Sequence, residues 1–146
     1  MSVGCGAGIF EKFLLKHCNL QLNYFHAVEP DQPRLNQLVN TLESGTNGVK
    51  VNIEVTHKQF DGSFNTDHRF DLILFHPRSL CESSDTTQCL LLARSFLKPR
   101  GQICLLHQSG IKCLKTKCDA LTTINGAKAD SKRMLGHMQL VHMLKV

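Results

Sequence analysis

No stretch of this chain approaches the roughly 20 apolar residues that a membrane-spanning helix needs. No basic segment followed by an apolar run marks a secretory leader. Also missing are any C-x-x-C pair and any Cys/His spacing suited to a metal, because the seven cysteines lie scattered at 5, 18, 81, 89, 104, 113 and 118. There is no internal repeat and no low-complexity segment. These absences give no support to membrane insertion, secretion or a zinc site. They leave the cytoplasm as the expected location, with the cysteines reduced and unliganded. A basic surplus is lacking where it would matter most: residues 1–109 hold ten Lys/Arg against ten Asp/Glu, and the net charge of +5 resides wholly in residues 110–146. A nucleic-acid partner is therefore not expected. The 146 residues, 42% of them hydrophobic, allow one domain with a modest core.

What is present is concentrated at the start. Val3-Gly4-Cys5-Gly6-Ala7-Gly8 sets three glycines at alternate positions, and the residues after it put Ile9, Phe10, Phe13 and Leu14 on one helical face. Glycine lets the backbone take positive φ and lets a ligand approach without a Cβ in the way. The helix start behind it offers unpaired N–H groups. A glycine turn before a helix is also a common structural device, and that reading stands beside the ligand-binding one. The next run, Tyr24–Val28, reads as a buried strand delivering Glu29 at its carboxyl end. In nucleotide-binding α/β folds an acid there accepts ribose hydroxyls; the alternative is a solvated loop carboxylate.

Strands and helices alternate along the rest. The patterning predicts a helix over about 8–18 and a strand over 24–29. A second helix follows, capped by Asp31, with Leu35, Leu38, Val39 and Leu42 inward, ending near 44–48. Alternation of Val49, Val51, Ile53 and Val55 predicts a half-buried third strand, and a polar loop at 57–68 leads to a fourth at 70–75. A helix over about 85–97 should face Cys89, Leu92, Ala93 and Phe96 inward, and Pro99-Arg100-Gly101 turns into a fifth strand, Gln102–His107. Alternation of this kind implies a parallel sheet with right-handed crossovers. Phe60, Phe64 and Phe75 read as core. Beyond Gly110, residues 111–122 suggest a helix and Gln139–Leu144 a strand.

The glycine spacing is not that of the dinucleotide fingerprint, whose third glycine falls where this chain has Ile9, so a nicotinamide-dependent oxidoreductase is disfavoured. G-x-G-x-G resembles instead the first motif of class I S-adenosylmethionine-dependent methyltransferases. The resemblance runs over residues 2–109 and includes Glu29, the strand Phe70-Asp71-Leu72-Ile73-Leu74-Phe75 and the turn Leu97–Ile103. Ala27-Val28-Glu29-Pro30-Asp31, His57-Lys58 and the loop at His76 resemble more narrowly the histamine N-methyltransferase branch.

That resemblance implies an α/β fold of the Rossmann-like methyltransferase kind, with about five parallel strands and flanking helices, incomplete at its C-terminal strands. It implies S-adenosyl-L-methionine as cofactor and a small amine as methyl acceptor. Gly4, Gly6 and Gly8 would close over the methionine end of the cofactor, and Glu29 would take the ribose hydroxyls. Arg34 matches a cofactor-contacting position where the branch has glutamine; a solvated helix-face arginine is the other reading. Asp61 falls where the family places a polar side chain beside the adenine, or is a turn residue before Gly62. His76 would line the acceptor site, with its main chain near the adenine as a cofactor contact, or is a loop histidine ordered by Pro77. No nucleophile of the enzyme's own is expected, since the cofactor carries the reactivity. Relative to the family the chain is expected to be truncated at both ends. It divides into a partial cofactor-binding domain over 1–109 and a basic, divergent tail over 110–146, with little or no activity alone. The alternative is a non-catalytic methyltransferase-like binding or interaction module.

Overall fold

The computed structural model describes residues 1–17, 22–43, 51–76, 79, 86–106, 129–133 and 140–145. The helix expected at 111–122, the end of the second helix at 44–48, and Val49 and His107 lie outside these residues. The chain divides into two units, Met1–Gln59 and Phe60–Val146.

The first unit contains β1 (Ser2–Val3), α1 (Ile9–His17), β2 (Tyr24–Val28), α2 (Gln32–Glu43) and β3 (Asn52–Thr56). Its strands are all parallel, in the order β3-β2-β1, with Ser2 opposite Ala27 and Val28 opposite Thr56. Side chains alternate across β2. Phe25 and Ala27 pack with Cys5 and with Leu35, Leu38 and Leu42 of α2 in one core, joined by Leu15 of α1 and Ile53 of β3. On the other face His26 is buried and hydrogen-bonds the Thr56 hydroxyl at 2.8 Å, which satisfies a polar ring that would otherwise be costly to bury. Helix α2 starts as its sequence dictates: Asp31 Oδ1 accepts the Arg34 N–H at 3.2 Å, an N-cap. Its inward stripe is Leu35, Leu38 and Leu42, while Val39 is only half-buried. In β3 the expected alternation holds for Val51 and Ile53, but Val55 is exposed.

The larger departure is α1. Ile9 and Phe13 are 76% and 50% exposed, whereas Glu11 is 2% exposed. Hydrophobic spacing alone favours the Ile9–Phe13 face. Two local contacts turn the helix the other way. Gly8, one residue before α1, lies against Leu38, and the Ser2 hydroxyl donates to Glu11 Oε1 at 2.6 Å. Leu15 then continues the inward side on the same face as Glu11, one turn later.

The second unit contains β4 (Phe70–Phe75), α3 (Thr86–Ser95), β5 (Leu97–Leu105), β6 (Ala129–Arg133) and β7 (Leu140–Lys145), with strand order β4-β5-β7-β6. Strands β4 and β5 are parallel; β7 runs antiparallel to β5 and β6 antiparallel to β7. The expectation of a sheet incomplete at its C-terminal strands is thus corrected. The Ala-Asp-Ser-Lys-Arg segment of β6 has no apolar alternation, so its pairing, which runs through backbone N–H and C=O groups, left no pattern to read. The expected strand at 139–144 is β7. The core of this unit is aromatic: Phe60, Phe64, Phe75 and Phe96 are all buried, with ring centroids 4.9 Å apart for Phe60–Phe64 and 5.5 Å for Phe60–Phe75 and Phe64–Phe96. Phe60–Phe75 and Phe64–Phe96 meet edge to face, and such pairs add about 0.5–1.5 kcal/mol each beyond their buried area. Helix α3 buries Cys89, Leu90 and Ala93; Leu92, expected inward, is half-buried and Leu90 takes its place.

Candidate functional site

The site is built where β1 ends. Gly4, Gly6 and Gly8 take φ of 70°, 57° and 75°, a left-handed backbone that side-chain-bearing residues adopt only at a cost. Alternate left-handed residues fold the turn tightly between strand and helix. The Gly4 N–H reaches across to the Val28 carbonyl at 2.8 Å, the Gly8 N–H closes the turn on the Cys5 carbonyl at 3.1 Å, and the Lys12 N–H to the Gly8 carbonyl at 2.9 Å begins the helix.

Glu29, at the carboxyl end of β2, is the acid this turn is built around. It is 4% exposed, its Oε2 accepts the Gly6 N–H at 2.7 Å, and its Oε1 accepts the Asp31 N–H at 3.1 Å. One carboxylate therefore ties the glycine turn to the start of α2. The Glu29 N–H donates to the Thr56 carbonyl at 3.1 Å, and a His57 ring N–H donates to the Pro30 carbonyl at 2.8 Å, so β3 and the residue after it steady the same corner. The solvated-loop alternative for Glu29 does not describe this arrangement.

Gly6 and Gly8 separate into different tasks. A Cβ on Gly6 would meet nothing within 4 Å, so its bare Cα faces open space. A Cβ on Gly8 would lie 2.3 Å from Leu38 Cδ1, so that glycine serves the packing of α1 against α2. Cys5, between Gly4 and Gly6, is buried; burial pushes its thiol pKa up, and the Glu11 and Glu29 carboxylates push it further the same way.

Of the other anticipated residues, Arg34 is exposed and its Nε lies 3.4 Å from Asp31 Oδ2, an i,i+3 surface pair one turn into α2. Its geometry is that of the helix-face reading. Asp61 and His76 belong to the second unit. Asp61 Oδ1 accepts both the Ser63 N–H at 2.8 Å and the Ser63 hydroxyl at 2.5 Å, and its carbonyl accepts the Phe64 N–H, which is an Asx turn. His76 leaves β4 half-buried, its carbonyl taking the Ser79 N–H at 3.1 Å and the Ser79 hydroxyl at 2.7 Å. Sequence reasoning missed Glu11 and Ser2. The one available signal was a first-turn acid on the same face as Leu15, and it was outweighed by the apolar pair Ile9 and Phe13. Among the described residues no group of His, Cys, Asp or Glu could hold a metal, Cys5, Cys89 and Cys104 are in no disulfide, and no helix is long and apolar enough to cross a membrane.

No protein-family model matches the chain, and no curated protein matches it by sequence. Solved structures do match. A methyltransferase from Pyrococcus furiosus superposes with a TM-score of 0.72 at 16% identity, over 99% of this chain and 74% of that one. The N-methyltransferase NodS from Bradyrhizobium japonicum WM9 gives 0.71 at 15%, over 99% and 83%. The chain has the Rossmann-like methyltransferase fold. Five parallel strands with flanking helices are its frame, and the antiparallel pair β6 and β7 completes the sheet of the second unit. A Thermoplasma acidophilum structure matches at a TM-score of 0.70 and 14% identity over 99% of this chain, which spans 66% of that protein's length. NodS has also been solved with S-adenosyl-L-homocysteine.

Proposed function

We propose that this chain binds S-adenosylmethionine at the β1–α1 turn and descends from methyltransferases that act on a small amine. The observation carrying this reading is the Glu29 carboxylate, buried at the strand tip and hydrogen-bonded to the Gly6 N–H beside a Cα that faces open space. The residues present fit such a group. An ionised carboxylate offers about four acceptor positions. Two are used by the Gly6 and Asp31 N–H groups, which leaves two for the paired hydroxyls of a ribose. Gly6, without a side chain, would let the ligand lie against the backbone. The cofactor would supply an activated methyl group; the chain's part is to position donor and acceptor, an effect worth about 7–11 kcal/mol in well-oriented systems. Asp61 and His76 enter as cofactor or acceptor contacts on the sequence resemblance alone, and Arg34 is a weaker member because Asp31 already holds it. A histamine-like acceptor rests on the same resemblance, at residues 27–31 and 57–58, and NodS, an N-methyltransferase, is compatible with amine chemistry.

The test is calorimetry with S-adenosylmethionine, S-adenosylhomocysteine and NAD in parallel. The two sulfur compounds should bind, and Glu29→Ala should weaken both, since a hydrogen bond to a charged group contributes roughly 1.5–3 kcal/mol before water compensates. Equal affinity of mutant and wild type would remove Glu29 from the site. A methyl-transfer assay over a panel of small amines then separates an enzyme from a non-catalytic cofactor-binding module.

A further inference from the structure

Strand β3 stands at the end of the strand order, and among the described residues no strand pairs with its outer side. Two hydrogen bonds show which of its residues face inward. The Asn52 N–H donates to the Asn23 carbonyl at 3.4 Å, and the Thr56 carbonyl accepts the Glu29 N–H at 3.1 Å. Backbone groups alternate sides along a paired strand, so Asn52, Glu54 and Thr56 bond toward β2, while Val51, Ile53 and Val55 turn their N–H and C=O groups outward. Proteins commonly blunt such an edge with lysine, proline or a bulge. The segment Asn52–Thr56 has neither lysine nor proline, and its register against β2 runs unbroken from end to end. Its one charged residue, Glu54, accepts the Tyr24 hydroxyl of β2, which holds that carboxylate on the inner side.

We propose that two copies of this chain join through their β3 edges as an antiparallel, two-fold symmetric pair centred on Ile53. In that register Ile53 lies opposite its own counterpart and Val51 opposite Val55, so each opposed pair exchanges both its N–H···O=C bonds. Residues directly opposite one another share a face of the sheet. One face thus becomes a run of β-branched side chains that covers Val55, 37% exposed in the single chain. On the other face Asn52 lies opposite Glu54, an amide donor against a carboxylate. The register with Ile53 opposite Val55 would instead set Glu54 against Glu54, and like charges directly opposite are destabilising. Charge therefore favours the Ile53-centred pair over it. The same patch serves both copies, so the assembly closes at two chains. A five-residue strand covers less than the roughly 1,200 Å² of a standard interface, which makes this a weak dimer that dissociates in the micromolar range or above.

The experiment is sedimentation equilibrium on the whole chain, kept reduced, from about 10 µM to about 1 mM. The mass of wild type should rise from one chain toward two and no further. Val55→Pro removes an outward N–H and leaves the β2 ladder whole, and it should weaken the dimer by about tenfold or more. Asn52, exposed on the outer strand, tests the register. Asn52→Lys, opposite Glu54 in two symmetric pairs, should tighten the dimer roughly fivefold, and Asn52→Asp should loosen it by a similar factor. Circular dichroism reports whether each variant folds, and the Asn52 pair stands as a test even if Val55→Pro does not. Wild type that stays a single chain throughout overturns the proposal. A dimer whose affinity neither folded Asn52 variant moves overturns it as well. Growth beyond two chains does the same, since a closed pair leaves no β3 edge open.

Discussion

At the scale of single residues, the glycines of the turn show how one sequence pattern can hold two different requirements. All three have positive φ, yet of Gly6 and Gly8 only Gly8 has a neighbour in the way of a side chain. Leu38 is fully buried, so its Cδ1 has nowhere to retreat from an alanine methyl at position 8. Gly8→Ala should therefore cost about 1–3 kcal/mol of overpacking on top of the roughly 1–2 kcal/mol that a left-handed backbone imposes on any L-residue. Gly6→Ala should incur only the second cost, and should lose S-adenosylhomocysteine affinity if the ligand lies where its Cα opens. Urea denaturation of the two variants, with calorimetry on each, checks this; equal destabilisation would mean the turn behaves as one unit. The sequence showed that glycine was needed, since only glycine tolerates such φ cheaply. It could not show which glycine faced a side chain and which faced space, because that depends on Leu38, thirty residues on.

At the scale of elements, what was legible followed from strong local chemistry. Helix α2 announces its start through Asp31 and its inward face through leucines at helical spacing, and both are found. Helix α1 was misread because its face is set by Gly8 and Ser2, contacts that hydrophobic spacing does not encode. The entry to β5 was half legible. Pro99-Arg100-Gly101 was expected to turn the chain into the strand, and it lies within β5 at a register shift: Phe70 pairs with Leu97, but Leu72 pairs with Gln102. The extra length on β5 is absorbed by Arg100 at φ 67° and by Gly101, whose Cβ would come within 2.9 Å of the Lys98 and Phe70 carbonyl oxygens. Arg100→Gly should relieve the left-handed strain and raise stability by about 0.5–1 kcal/mol, the strain less glycine's greater freedom in the unfolded chain. Gly101→Ala should lower stability, because two backbone carbonyls must move. Denaturation midpoints of the pair should shift in opposite directions; a loss for Arg100→Gly would mean the arginine side chain makes a contact worth more than the strain.

At the scale of the whole molecule, the α/β class was legible because alternating strands and helices leave few topologies, whereas β6 was not, since its pairing runs through the backbone. Global stability also carries a signature of burial. Burial holds the Cys104 thiol above its ordinary value of 9.0, up to about 11, and pushes Cys5 in the same direction. For an acid whose neutral form the fold favours, the contribution to stability is complete below the unfolded-state value. As pH rises from about 9 toward 11 the unfolded chain releases the Cys104 proton while the folded chain keeps it, so stability falls through that window. A shift from 9.0 to about 11 corresponds to a loss of roughly 3 kcal/mol at most by its upper end. Urea midpoints measured under reducing conditions at pH 7, 9, 10 and 11 should therefore hold nearly level to pH 9 and then decline. Cys104→Val, close in volume and without a proton to lose, should change the pH 7 value by less than about 1.5 kcal/mol and decline less steeply. A variant that falls in parallel with wild type would assign the alkaline loss to other groups, Cys5 first among them.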